Sequence, residues 1–372
     1  MKIVVVMKNW LGDLFFQMPA LDLIKKKYPD ASITCIAPER CREILEAHPA
    51  VSAFMPFDEK TTHRPLFPRL QFAFDLRKKG PWDQGYLFHR SRTRALLLML
   101  AGVKERIGFG RRRTFLMTRA IPEPSGSMHQ LDYFLEMMRR AGFEIPKDPV
   151  YRFYYKKEDR DLALRLLKDD GLEKKGSFIC FHLGANWEPK RWPAEHFAEL
   201  ADKIHELRGL TVVVTGSRQD QPLFETFSKK VKKARVISFV GKTGLGVSAA
   251  IYEQAACLVT GDSGPMHMAS GVGAPVVALF GPTDPKLTGP RGSGESIVLQ
   301  YIPPGYAVPF FGRKLPEEGW LSHITPEEVL NATERILSHS LSKESKINGT
   351  GPGNLLRKEN KSPDGCQDLR KA

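Results

Sequence analysis

The chain opens on a β-branched run, "KIVVV" at residues 2–6, the pattern of a short buried strand. "LFFQMPALDLIKKKYP" then spaces its apolar residues at helical intervals and ends in a basic turn before Pro29. "SITCIAP" predicts a second strand and "CREILEAHP" a second helix. A β-α-β-α start implies a parallel, doubly wound sheet. "WDQGYLF" predicts a further strand. "RTRALLLMLAGV" predicts a helix closing on Gly102, and "MHQLDYFLEMMRRAGF" another helix.

From about residue 156 the alternation starts again. "KEDRDLALRLLKDDGL", "AEHFAELADKIHEL", "QPLFETFSKKVKK", "GVSAAIYEQAA" and "GPMHMASGVG" have helical spacing. "SFICFHLGA", "TVVVTGS", "RVISFVG", "CLVTGD" and "PVVALFG" read as strands between them. "TPEEVLNATERIL" begins with a Thr cap and acidic first-turn residues. The reading is an α/β chain of two doubly wound Rossmann-like domains, 1–155 and 156–325, then a C-terminal helix at 326–340. Residues 341–372 are polar and rich in Gly, Ser, Pro and Lys, the composition of a disordered basic tail. In doubly wound sheets ligands bind at the carboxyl ends of the strands, so two such domains face each other across a cleft.

Composition narrows the partner. The 372 residues suffice for two domains of ordinary size. The formal net charge of +14 calls for an anionic partner without choosing among nucleotide, phosphorylated glycan, nucleic acid and acidic membrane. No aromatic-basic module accompanies the charge, so nucleic acid is set aside. Five cysteines without CxxC pairs argue for a reducing compartment. The N-terminal apolar run is too short for a signal peptide and no run reaches the length of a membrane span, so the expectation is a cytoplasmic protein.

Three patterns fail as motifs. "VGKTG" at 240–244 would need a glycine at 236 to complete a phosphate loop, and that residue is Val236. No GxGxxG follows the first strand, which leaves nicotinamide binding unsupported. Asp159-Arg160-Asp161 sits in an amphipathic helix, where a solvated face explains it better than a metal.

Three constellations remain. Asp13, in "LGDLFFQMP", falls between a strand end and a helix start. It is either an N-cap or a general base facing the cleft, and the two are compatible. Lys190, in "HLGANWEPKRWPAEHF", is placed between a strand end and a helix start, where it can meet a phosphate as a point charge or simply be solvated. In "TGDSGPMHMASG", Asp262 ends a strand and Ser263 can cap the next helix. Gly264 and Pro265 leave first-turn N–H groups free for an anion. A carboxylate there suits a ligand with both phosphate and hydroxyls, that is, a nucleotide-sugar. His267, one turn further, is either a ligand of the same group or a packed core histidine.

These residues resemble the bacterial ADP-heptose:lipopolysaccharide heptosyltransferases, glycosyltransferase family 9, whose fold is GT-B. The likeness runs through "GDLFFQMPALDLIKKKYP", "HLGANWEPKRWPAEHFAEL" and "TGDSGPMHMASGVGAPVVALFGPTDP", and covers roughly residues 1–338. It implies inverting, metal-independent transfer of heptose from ADP-heptose to the lipopolysaccharide inner core, with no cofactor, at the inner face of the inner membrane. By position it makes the first domain the acceptor side and the second the donor side. It makes Asp13 the catalytic base, Lys190 a phosphate ligand and Asp262 the holder of heptose hydroxyls. It puts Ser263, Gly264 and His267 in the diphosphate turn. An anionic acceptor suits Arg90, Arg92, Arg94 and the "GRRR" run at 110–113, which are equally readable as solvated charges. Residues 300–323 and the tail match no part of the resemblance, and subtypes I, II and III stay open. The alternatives are a GT-B nucleotide-sugar 2-epimerase and a non-catalytic nucleotide-sugar binding protein.

Overall fold

The computed structural model describes residues 1–309 and 319–347, without the side chains of 111–113 and 340–347. The first sheet is built from β1 (Lys2–Val6), β2 (Ser32–Ala37), β3 (Ala53–Pro56), β4 (Gln84–Leu87), β5 (Glu105–Phe109) and β6 (Arg119–Ile121), in the order β3-β2-β1-β4-β5-β6. The second holds β7 (Phe178–His182), β8 (Thr211–Thr215), β9 (Val236–Ser238), β10 (Leu258–Gly261), β11 (Val276–Phe280) and β12 (Ser296–Gln300), in the order β12-β11-β10-β7-β8-β9. Every pairing is parallel. Counted from its own first strand, the second sheet repeats the order of the first, and that order is the doubly wound Rossmann one. The expected α/β architecture is therefore present twice. Strand order reverses between β1 and β4 and between β7 and β10, and the crevices open at those points.

The central strands are continuous apolar runs because helices cover both faces; β7, β8 and β11 are buried along their whole length. The short strands β3, β5, β6 and β12 and the helix Leu66–Lys78 were not expected from the pattern. The first helix also differs from expectation. It starts at Leu11, stops at Phe15 and resumes as Met18–Lys27. Pro19 has no N–H to give the carbonyl of residue 15, and its ring crowds that carbonyl, so the helix breaks. The last helix, Pro326–Ile347, runs past the expected end at 340, and the remainder of the tail lies outside the described residues.

One core cluster spans both domains. At its centre the ring of His267 stacks on Phe15 (5.6 Å between centroids) and meets Phe16 edge-on (5.0 Å), so the second domain packs on the first helix of the first. Polar bonds cross the same seam. Glu43 Oε1 accepts the Gly246 N–H (2.7 Å), and Arg291 Nη1 meets Asp132 Oδ2 (2.6 Å). Nε2 of His129 contacts the Gly289 carbonyl at 3.1 Å.

Candidate active site

A cleft of about 610 Å³ opens at the carboxyl ends of β7 and β10, on the reversal point of the second sheet. Lys190, Asp262, Ser263, Gly264 and His267 all line it. From the first domain Trp10, Leu11 and Gly12 form part of the opposite wall. The structure thus gathers around one cavity every second-domain residue singled out in the sequence.

Its strongest polar feature is an ion pair. Lys190 Nζ lies 2.6 Å from Asp262 Oδ2, and Thr283 Oγ1 donates to the same oxygen at 2.7 Å. Asp262 is buried and Lys190 mostly so. Three chain segments converge to make the contact. Asp262 follows β10, Lys190 follows β7 by way of a short turn, and Thr283 follows β11 in "GPTDP". Gly261 permits the approach: a Cβ there would sit far inside contact distance of the Lys190 carbonyl oxygen. The pair presents an ammonium with donors to spare beside a carboxylate with a second oxygen, complementary to a phosphate next to sugar hydroxyls.

The helix Gly264–Gly271 begins directly after this pair. Ser263 occupies its N-cap position, but its hydroxyl does not cap. It meets Thr260 Oγ1 at 3.2 Å, which corrects the sequence expectation and leaves the first-turn N–H groups without that partner. Pro265, at the second helical position, has no N–H to satisfy. A Cβ on Gly264 would meet no protein atom within 4 Å, so the space in front of this helix end belongs to the cleft. His267 is packed, as one of the two readings expected: it is buried in the domain seam, and it also lines the cleft. The Tyr151 hydroxyl accepts the Arg291 N–H (3.0 Å) and is hydrogen-bonded to His267 Nδ1 at 2.8 Å. Burial lowers the His267 pKa to about 4, which keeps the ring neutral at neutral pH.

Asp13 is the third residue of the helix Leu11–Phe15, whose N-cap is Trp10, so it is not the cap. It comes one residue after the wall formed by Trp10, Leu11 and Gly12 and is not itself part of that wall. Burial raises its pKa above the ordinary carboxylate value, and the nearby Lys8 ammonium offsets only part of this. Among the described residues its carboxylate has no hydrogen-bond partner. Its carbonyl accepts from Gln17 Nε2 (2.8 Å), and Gln17 Oε1 accepts the Lys8 N–H (2.9 Å). The buried Gln17 thus ties the β1 loop to the helix, a role the sequence reading missed.

The arginines separate. Arg90 is exposed and donates to the Tyr133 hydroxyl at 2.7 Å, and Arg92 is exposed at the first turn of the helix Arg92–Leu100. Arg94 is only 1% exposed. Its Nη1 donates to the Met7 carbonyl (2.9 Å) and its Nη2 to Asn9 Oδ1 (2.6 Å). Spent on the loop that leads to Asp13, Arg94 braces that loop and has no face free for an acceptor, contrary to the expectation. The side chains of Arg111, Arg112 and Arg113 lie outside the described residues. Thr283, Tyr151 and Gln17 were not singled out beforehand. Thr283 and Gln17 stood in quoted motifs, but the partner of Thr283 is 21 residues away in sequence.

Comparison with known proteins agrees with this geometry. The family model described as glycosyltransferase family 9 (heptosyltransferase) matches residues 70–307. The chain is 28% identical to lipopolysaccharide heptosyltransferase 2 of Escherichia coli, over 91% of this chain and 99% of the relative. The solved glycosyl transferase family 9 protein of Veillonella parvula superposes with a TM-score of 0.81 at 26% identity, covering 91% of this chain and 97% of the other. The E. coli ADP-heptose lps heptosyltransferase II does so with 0.73 at 25%, covering 92% and 100%. With a model match over more than half its length and the fold of the solved relatives, the chain belongs to glycosyltransferase family 9, the heptosyltransferases, and is a glycosyltransferase.

Proposed function

We propose that the protein transfers heptose from ADP-heptose to the lipopolysaccharide inner core by a single, inverting, metal-independent displacement. The observation that carries this is the Lys190–Asp262 pair at 2.6 Å beside the unobstructed start of the helix Gly264–Gly271. A diphosphate takes the ammonium and the first-turn N–H groups, while Asp262 and Thr283 hold sugar hydroxyls. The relatives are named for heptosyltransferase 2 and ADP-heptose, which favours that donor and that acceptor step here.

Asp13 is the general base of this proposal. The acceptor hydroxyl gives its proton to the carboxylate as its oxygen attacks the anomeric carbon. The bond from that carbon to the phosphate oxygen breaks, and ADP leaves with the electron pair. Lys190 and the helix N–H groups stabilise the charge that develops on the diphosphate, the place a metal would otherwise take. Burial strengthens Asp13 as a base, since a carboxylate with a raised pKa takes a proton more readily. Its position just outside the donor wall fits a group that meets the acceptor. We place the acceptor on the side of Arg90 and Arg92, and the enzyme on the cytoplasmic face of the membrane that carries a lipid-linked acceptor.

A donor screen by calorimetry tests the reading. ADP-heptose and ADP should bind more tightly than UDP- and GDP-sugars, and equal or inverted preference would overturn the donor assignment. Product formed from donor alone, with no acceptor, would instead mark an epimerase.

A further inference from the structure

The helix Leu66–Lys78 is apolar on two sides. Phe72, Ala73 and Leu76 are buried against the sheet, whereas Leu66, Phe67, Leu70 and Phe74 are 68, 75, 49 and 54% exposed. At about 100° per residue the exposed four make one stripe turned away from the buried three. The helix Arg92–Leu100 packs beside it and repeats the arrangement, with Ala95 and Leu98 buried and Leu96, Met99 and Leu100 about 40% exposed. Phe115, in the adjoining turn, is 78% exposed. Eight of the seventeen exposed large hydrophobics among the described residues therefore share this one face. That is a patch and not the usual scatter.

Cations rim the patch. Between residues 64 and 79 five basic side chains (Arg64, Arg69, Arg77, Lys78 and Lys79) stand against one acidic side chain, Asp75. Lys78 Nζ lies 4.4 Å from the centre of the Phe74 ring, so its charge sits at the edge of the apolar stripe. Arg92 is exposed at the head of the second stripe, one turn before Leu96.

We propose that this face docks the protein on an anionic lipid bilayer. The aromatic and aliphatic tips enter the boundary between headgroups and acyl chains, and the flanking arginines and lysines meet acidic headgroups. Side chains standing out from two convex helices, ringed by one sign of charge, complement a fluid anionic surface. A protein partner would instead need a matching apolar relief and acidic groups around it. No helix among the described residues is long and apolar enough to cross a membrane, so the contact is peripheral. Arg90 and Arg92 follow the end of β4, at the reversal point of the first sheet, and Arg92 opens the second stripe. Docking here brings the mouth of the cleft to the bilayer, where a lipid-anchored acceptor is held. That purpose rests on the proposed function; the docking itself does not, and it is measured without donor or acceptor.

The full chain is mixed with vesicles of phosphatidylethanolamine and phosphatidylglycerol, and with vesicles of phosphatidylcholine, and bound protein is read by flotation. The wild type should bind the anionic vesicles and lose binding at high salt. The variant Phe67→Ser/Phe74→Ser should bind at least about tenfold more weakly, since two large apolar groups no longer leave water. The variant Arg77→Gln/Lys78→Gln should bind about 25-fold more weakly with a flatter salt dependence, at roughly fivefold for each cation. Leu207→Ser, on the exposed side of a helix in the second domain, serves as control and should bind as the wild type. All four changed aromatic and basic side chains are exposed, and ADP binding by each variant confirms the fold. Wild-type vesicle binding by the Phe67→Ser/Phe74→Ser variant overturns the proposal. So does a wild type that binds neither vesicle, even if a protein is captured by the same face. Loss of ADP binding in every form, wild type included, would sink the donor reading and leave the vesicle result standing.

Discussion

The chemistry of the cleft turns on a few side chains whose charges depend on each other. Lys190 holds Asp262 at 2.6 Å, so each neutralises the other; in the proposed reading a ligand with both phosphate and hydroxyls divides them. Lys190→Ala should weaken ADP-heptose about ten- to a hundredfold, the scale of a charge-assisted hydrogen bond, as measured by calorimetry. Unchanged donor affinity would count against its role. Because the two groups touch, Lys190→Ala combined with Asp262→Asn should cost less than the sum of the single changes. His267 gives a pH signature. Its pKa falls from 6.5 unfolded to about 4 folded because burial disfavours the charged ring. The folded state therefore resists protonation, so the stability it contributes is complete above pH 6.5 and is lost as the pH falls towards 4. His48, buried and also lowered to about 4, acts in the same direction. The thermal midpoint should drop across that window, and more shallowly in His267→Gln; an equally steep drop would remove His267 from the account.

At the scale of elements, glycines separate packing from function. Gly261→Ala should destabilise the fold by about 1–3 kcal/mol, because the added methyl collides with the Lys190 backbone carbonyl. Gly264→Ala should leave the thermal midpoint unchanged or slightly higher, yet weaken ADP, because the methyl enters only cleft space. Equal stability losses in the two variants would contradict this division. The same elements show what the sequence carried. Both doubly wound halves were legible because the central strands are buried on two faces and read as unbroken apolar runs. The strands β3, β5, β6 and β12 were not: they are short, and β5 begins with Glu105 and Arg106, while β12 alternates in exposure. The helix Leu66–Lys78 escaped because it is apolar on two sides and shows no single stripe. Asp262, Lys190 and His267 were legible from motif and junction. Thr283 and Tyr151 reach the site only through tertiary pairing, which no local pattern encodes. Arg94 was misread because a buried arginine and a solvated one look alike in a sequence.

Across the whole molecule, two copies of one topology meet across a shared cleft, and the seam between them includes the aromatic stack of Phe15, Phe16 and His267. The helix Leu11–Phe15 therefore serves both halves, packing on the second domain with Phe15 while holding Asp13 next to the cleft wall. If Asp13 is the base, the acidic limb of kcat/KM should have its midpoint above 3.8, the direction in which burial moves this carboxyl, since only the deprotonated form accepts a proton. The central claim, general-base transfer across the domain cleft, is tested most directly by one comparison: turnover of ADP-heptose with acceptor, and ADP affinity, in wild type and Asp13→Asn. The account predicts a loss of about 10²–10⁴ in turnover with ADP affinity unchanged. Turnover near that of the wild type would contradict it.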